Sequence, residues 1–150
     1  MTAPFPHKYE VKVSWPRQGG AELYAAAAPP ITGGAPREFD GRETWWSPEH
    51  LLLSSLGLCL TTTFEAIAAK ARLGVLRYDC HAEATLDRNE GGVGFTALEL
   101  HVEIEVNPKD AERASRLLAS AKKHCIVANA LRPVVTVDVT VRTPAIAGAA

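Results

Sequence analysis

Side chains alternate over residues 8–15, with Tyr9, Val11, Val13 and Trp15 on one face and Lys8, Glu10, Lys12 and Ser14 on the other. That period of two predicts a half-buried strand. Residues 16–20 have turn composition. Residues 21–27 are read as a second strand pairing back on the first, broken by the proline-containing stretch 29–36. Residues 35–46 form a polar connection with Arg37 and Arg42 and no clear period, either loop or short edge strand. Ser47-Pro48-Glu49 reads as a helix start: a serine N-cap, proline at the first helical position and a carboxylate in the first turn. The helix runs to about Arg72, with Gly74 as its stop signal. Its centre, 51–69, is apolar nearly all round, but Ser54, Ser55, Gly57, Thr61, Thr62, Thr63 and Glu65 interrupt it. A helix buried on several sides is expected rather than a membrane span.

Two further alternating runs follow. One carries Leu76, Tyr78, Cys80, Ala82, Ala84 and Leu86, the other Leu98, Leu100, Val102, Ile104 and Val106, with a glycine-rich link at 89–94. They predict an antiparallel hairpin whose outer face carries Asp79, His81, Glu83, Glu99, His101, Glu103 and Glu105. Asn107-Pro108 opens a second helix through roughly Lys123, with Ala111, Ala114, Leu117, Leu118 and Ala121 apolar. Val135, Val137, Val139 and Val141 alternate with polar residues in a last strand. The order of strands, helix, hairpin, helix and strand implies an α+β fold, an antiparallel sheet with two main helices against it. The first helix needs more cover than a small sheet provides, and a second copy of the chain is the natural source.

Composition narrows the options. At 150 residues, 47% hydrophobic and 22% charged, the chain is expected to be one domain spanning 1–150, with 1–6 and 143–150 flexible. A net charge of -1 supplies no field for nucleic acid or anionic membrane, so neither is an expected partner. Residues 1–7 hold no apolar run of the secretory kind, and three cysteines are too few for a disulfide framework. A reducing, cytoplasmic location is the expectation.

The candidate chemistry lies in those cysteines. Cys59 sits inside the first helix, Cys125 directly after the second, and Cys80 on the apolar face of its strand. A lone cysteine is most often a small buried hydrophobe, the reading kept for Cys80. Glu49 stands ten residues before Cys59, a separation of roughly 15 Å along one straight helix. The two can share a site only if the glutamate comes from a second copy packed antiparallel. Otherwise Glu49 is a first-turn carboxylate facing the helix dipole.

Ser47-Pro48-Glu49-His50-Leu51 with Cys59 ten residues after the glutamate, and the segment 122–131 containing Cys125, together resemble the OsmC/Ohr superfamily of thiol-dependent hydroperoxide reductases. The resemblance spans most of the chain. It implies an OsmC-like fold as an intertwined homodimer, with active sites at the interface. It also implies a catalytic cycle in oxidative or osmotic stress. Cys59 thiolate attacks the O–O bond of an organic hydroperoxide, the sulfenic acid condenses with Cys125, and an external dithiol or lipoyl-type reductant opens the disulfide. Members of the family also use an arginine that pairs with the glutamate. Arg37, in Arg37-Glu38-Phe39-Asp40-Gly41, resembles it best, with Arg17 and Arg42 as alternatives. The catalytic set implied is therefore Cys59, Cys125, Glu49 and Arg37, with no metal or other cofactor. Two departures stand out: Ser47 replaces the usual asparagine, and Ile126 replaces the proline that follows the second cysteine in the best-known branches. The second points to a less-characterised branch. Trp45 and Trp46 either line an apolar entrance or, in the more ordinary role, pack in a core or interface.

Two rival classes compete with this reading. A metal site from Cys80, His81, His124 and Cys125 meets the difficulty that adjacent strand residues point to opposite faces, and no Cys-x-x-Cys supports it. A redox-inert protein holding a small apolar ligand in the dimer cavity is the alternative function, and it makes Cys59 dispensable.

Overall fold

The computed structural model describes residues 4–144, so of the ends expected to be flexible, 1–3 and 145–150 lie outside the described residues. The chain divides into two compact units, one up to Leu52 and one from Leu53.

The first unit holds a three-stranded antiparallel sheet in the order β1 (Lys12–Ser14), β2 (Ala21–Tyr24) and β3 (Ile31–Gly33). The expected β1–β2 hairpin forms but is shorter than the alternation implied, and Tyr9, Val11, Val13 and Trp15 are all exposed. Alternation reported which side chains share a face, not whether anything in the same chain covers that face. The stretch 29–36, expected only to break the second strand, contains β3. Its prolines at 29, 30 and 36 bracket a strand of three residues, which needs no proline N–H in the ladder. The connection onward holds a 3-10 turn at Arg37–Phe39, closed by Asp40 in the left-handed region at φ 61°. Gly41 follows because a Cβ there would fall 1.5 Å from the Ala35 carbonyl oxygen. That requirement explains why glycine stands at this position. Trp46 closes the path by bridging to Gly33.

Helix α1 (Pro48–Lys70) begins as the sequence implies. The buried Ser47 Oγ accepts from the His50 N–H at 3.2 Å, an N-cap bond to the third helical residue. Its end is earlier than expected and is not set by Gly74. Arg72 takes the left-handed conformation at φ 52°, its N–H donating to the Ala69 carbonyl while the Leu73 N–H donates to that of Ala68. This is a Schellman closure built on arginine rather than glycine.

The second unit is a mixed three-stranded sheet, β4 (Val75–Asn89), β5 (Gly92–Val106) and β6 (Val135–Arg142), in that order. β4 and β5 pair antiparallel across a tight turn, as predicted. β6 corrects the expectation of a wholly antiparallel sheet, because it runs parallel to β5, with Leu98 opposite Val135 and Glu105 opposite Arg142. The cause lies in the connection. The chain leaves β5 at Val106 and returns through helices to run alongside β5 from Leu98 onward, and such a crossover delivers a parallel strand. The second helix also differs at its start: Asn107 makes no side-chain cap bond, Pro108–Asp110 is a 3-10 turn, and α2 spans Ala111–His124. A short α3 (Ile126–Ala130), not foreseen, follows Cys125.

One core holds the unit together. Leu56, Leu60, Phe64 and Ala68, four residues apart along α1, meet Leu98, Leu100, Val102, Ile104 and Val106 of β5 and Ala114, Leu118 and Ala121 of α2. α1 is therefore buried along one stripe rather than on several sides, and Leu58 is 64% exposed. By length and composition alone α1 is long and apolar enough to cross a membrane, yet that stripe is part of a protein core.

Candidate active site

Cys59, in the middle of α1, and Cys125, at the junction of α2 and α3, are brought together. The Cys125 thiol lies within hydrogen-bonding reach of the Cys59 sulfur, and both are free thiols. The core positions both. Cys59 sits between Leu58 and the buried Leu60, while Cys125 is itself fully buried and holds an extended conformation (φ -69°, ψ 106°) that turns the chain from one helix into the next.

Their surroundings make the two sulfurs unequal. Burial opposes ionisation of Cys59, but the N–H groups of Val127 and Ile126, the Cys125 thiol and the Thr63 hydroxyl all favour its thiolate, and the net effect lowers its pKa below the ordinary thiol value. Burial pushes the Cys125 thiol up. The Ala128 and Val127 N–H groups act the other way, but Cys59 adds to the rise. Of the two, Cys59 is thus the sulfur more readily ionised and Cys125 the one that holds its proton more tightly. The backbone donors to Cys59 come from α3, which sequence reading missed. Its only signal was the run 126–131, which is free of glycine and proline.

Cys80 is partly buried against the core, as expected of a structural cysteine. Burial raises its pKa, with the neighbouring Tyr78 hydroxyl pulling in the other direction. Tyr78 is a second residue not singled out in the sequence. Its ring stacks on Phe64 at 5.5 Å, and its oxygen is buried with no hydrogen-bond partner of good geometry, though Thr61 and Cys80 are near enough to bear on its ionisation. Burial pushes its phenol up to about 12.

Glu49 lies in the first turn of α1, with Oε2 buried and without a hydrogen-bond partner among the described residues. Arg37 is at the surface, pairing with Glu43 at 2.7 Å, and both side chains are more than two-thirds exposed. Arg42 stacks over Trp45 at 5.0 Å. Arg17 occupies an exposed turn between β1 and β2 at φ 71°. Trp45 has a packing role, its ring filling the space where Gly20 and Gly34 lack side chains. Trp46 is about half exposed.

Residues 41–140 match the family of OsmC-like proteins, and the chain belongs to that family. The matched span includes Glu49, Cys59 and Cys125, and Arg37 lies just before it. Peroxiredoxin OsmC of Escherichia coli strain K12 is 26% identical over 100 residues, 67% of this chain and 69% of the relative. The fold is shared with solved structures. An OsmC-like protein of unknown function from Vibrio cholerae superposes with a TM-score of 0.82 at 19% identity, covering 90% of this chain and all of the other. An organic hydroperoxide resistance protein from Elizabethkingia anophelis superposes with a TM-score of 0.74 at 19% identity, covering 94% and 99%.

Proposed function

We propose that the protein is a thiol-dependent peroxidase that reduces organic hydroperoxides. The observation that carries this reading is the asymmetry of the sulfur pair: Cys59 favoured as thiolate by the Val127 and Ile126 N–H groups, with the proton-retaining Cys125 at hydrogen-bonding range. In the cycle the Cys59 thiolate attacks the terminal peroxide oxygen, the O–O bond breaks, and the alkoxide leaves as an alcohol after taking a proton. Cys59 is left as a sulfenic acid. The Cys125 sulfur then attacks it, an S–S bond forms and water departs, which keeps the sulfenic acid from further oxidation. An external dithiol restores both thiols and is itself oxidised to a disulfide. The chain's own residues suffice for these steps, with no metal or organic cofactor.

The working unit in this reading is a homodimer. Leu58 on α1 and the row Tyr9, Val11, Val13 and Trp15 are apolar surfaces that a single copy leaves exposed, and a second copy covers them. The same packing gives the orphaned Glu49 oxygen an arginine, for which Arg37 is the first candidate once its weak, solvent-exposed pairing with Glu43 is released. The partner's Glu49 and that arginine then order the Cys59 site. A thiol cycle of this kind belongs in a reducing compartment such as the cytoplasm. The relatives' names, peroxiredoxin and organic hydroperoxide resistance protein, support the same substrate class.

Steady-state turnover of cumene hydroperoxide with a dithiol reductant tests the reading. Cys59→Ser abolishes turnover, and Cys125→Ser permits one oxidation per site without turnover. Equal rates for wild type and Cys59→Ser refute it and favour a redox-inert binding protein.

A further inference from the structure

The solvent face of the second sheet carries a group of side chains that the thiol cycle leaves unused. Strand alternation sends Cys80 inward and His81 outward, so this face is separated from the sulfur pair by the sheet itself. On it, His81 stands directly opposite His101 and Glu83 directly opposite Glu99, while Asp138 of β6 stands opposite His101 on the other side. Two imidazoles and three carboxylates thus form one patch across three strands.

The geometry is that of ligands around a point. One ligand atom each from Glu83, Glu99 and His101 lies within 4.8 Å of the others. Glu83 reaches both histidines, with Oε1 3.1 Å from His81 Nε2 and Oε2 3.5 Å from His101 Nε2. Ligands about 2.0–2.2 Å from a tetrahedral ion are spaced at roughly 3.4 Å, so small rotations of accessible side chains complete the shell. His101 also has the outer partner that metal-bound histidines use. Its Nδ1 lies 3.5 Å from Asp138 Oδ2, while its Nε2 faces Glu83. Charge argues the same way. Glu83 and Glu99 are like charges in direct register, a destabilising pair, and among the described residues neither is paired with lysine or arginine. The arginines of this face are engaged elsewhere, Arg77 with Asp79 and Arg142 with Glu103.

We infer that His101, Glu83 and Glu99, with His81 as a fourth donor and Asp138 orienting His101, form a binding site for a divalent first-row transition ion of the zinc type. Two imidazole nitrogens select this class over magnesium or calcium, which take oxygen ligands. The ion ties β4 to β5 and, through Asp138, to β6. It is a structural clamp, distinct from the peroxidase chemistry.

Equilibrium dialysis of the reduced protein against Zn²⁺ tests the site, with Co²⁺ absorption reporting the ligand type. The expected result is one ion per chain and a Co²⁺ spectrum without thiolate charge-transfer absorption. Glu83→Gln and His101→Ala should each weaken binding by at least about tenfold, and Asp138→Asn by roughly tenfold. All three positions are solvent-accessible strand residues, and far-UV circular dichroism verifies that each variant is folded. Absence of stoichiometric uptake overturns the proposal. So does uptake indifferent to both Glu83→Gln and His101→Ala, which would place the ion elsewhere on the chain, or a thiolate charge-transfer band, which would place it on the cysteines.

Discussion

The Val127 N–H favours the Cys59 thiolate, although it lies sixty-eight positions further along the chain and only two beyond Cys125. One short helix thus follows directly on the second thiol and supplies the N–H groups that favour the thiolate of the first. This arrangement separates the roles of two residues that are chemically identical in the sequence.

The first prediction concerns pH. Because the Cys59 pKa is lowered from the ordinary thiol value of 9.0 and that of Cys125 raised from it, alkylation of Cys59 should rise with pH through a midpoint below 9.0, and Cys125 should follow above it. Ile126→Pro sharpens the test. The substitution removes one of the two backbone donors at a first-turn position that tolerates proline, and the exposed Ile126 side chain is not part of the core. Its midpoint should shift upward, with the Val127 donor retained. Iodoacetamide kinetics resolved by peptide mass spectrometry measure both.

Ser47→Ala should destabilise the chain by about 1 kcal/mol in urea unfolding, the usual cost of an N-cap. The Ser47 hydroxyl caps His50 N–H and also lies 3.0 Å from His50 Nδ1. Ser47→Asn should recover most of the loss, since asparagine caps equally well.

Tyr78→Phe should behave differently at neutral and alkaline pH. Near neutrality the change should cost less than about 1 kcal/mol, because the hydroxyl it removes has no good partner. The folded phenol ionises at about 12 against an ordinary 10.0. Stability from keeping it neutral is therefore complete below pH 10 and is lost as pH rises toward 12. The variant lacks that loss, so its alkaline unfolding midpoint should move upward.

Leu58→Glu tests the dimer. At a surface site of a monomer the substitution should change stability by no more than about 0.5 kcal/mol. In a dimer covering α1 it should convert the sedimenting species to a monomer and lower peroxidase activity with it. A wild-type monomer by sedimentation would remove the proposed route by which Glu49 reaches a site.

Much of this was legible in the chain. Ser47-Pro48-Glu49 marked the start of α1 to the residue, and the two alternating runs gave the β4–β5 hairpin, because caps and periodicity are local signals. The parallel pairing of β6 was not legible, since strand direction is decided by a connection that the strand's own residues do not encode. The end of α1 was misplaced because Arg72, not a glycine, takes the left-handed turn. At the site, the contexts of Cys59 and Cys125 singled out the pair by resemblance. The same resemblance implied Cys59 as the thiolate, but the backbone N–H groups of Val127 and Ile126 that favour its ionisation have no residue signature.

The most direct measurement is a thiol count after one equivalent of organic hydroperoxide, with no reductant present. The reduced chain has three free thiols, Cys59, Cys80 and Cys125. The account predicts that two are lost together, that one remains, and that peptide mapping finds a Cys59–Cys125 disulfide with Cys80 still reduced. Retention of all three thiols, or a disulfide involving Cys80, would contradict it.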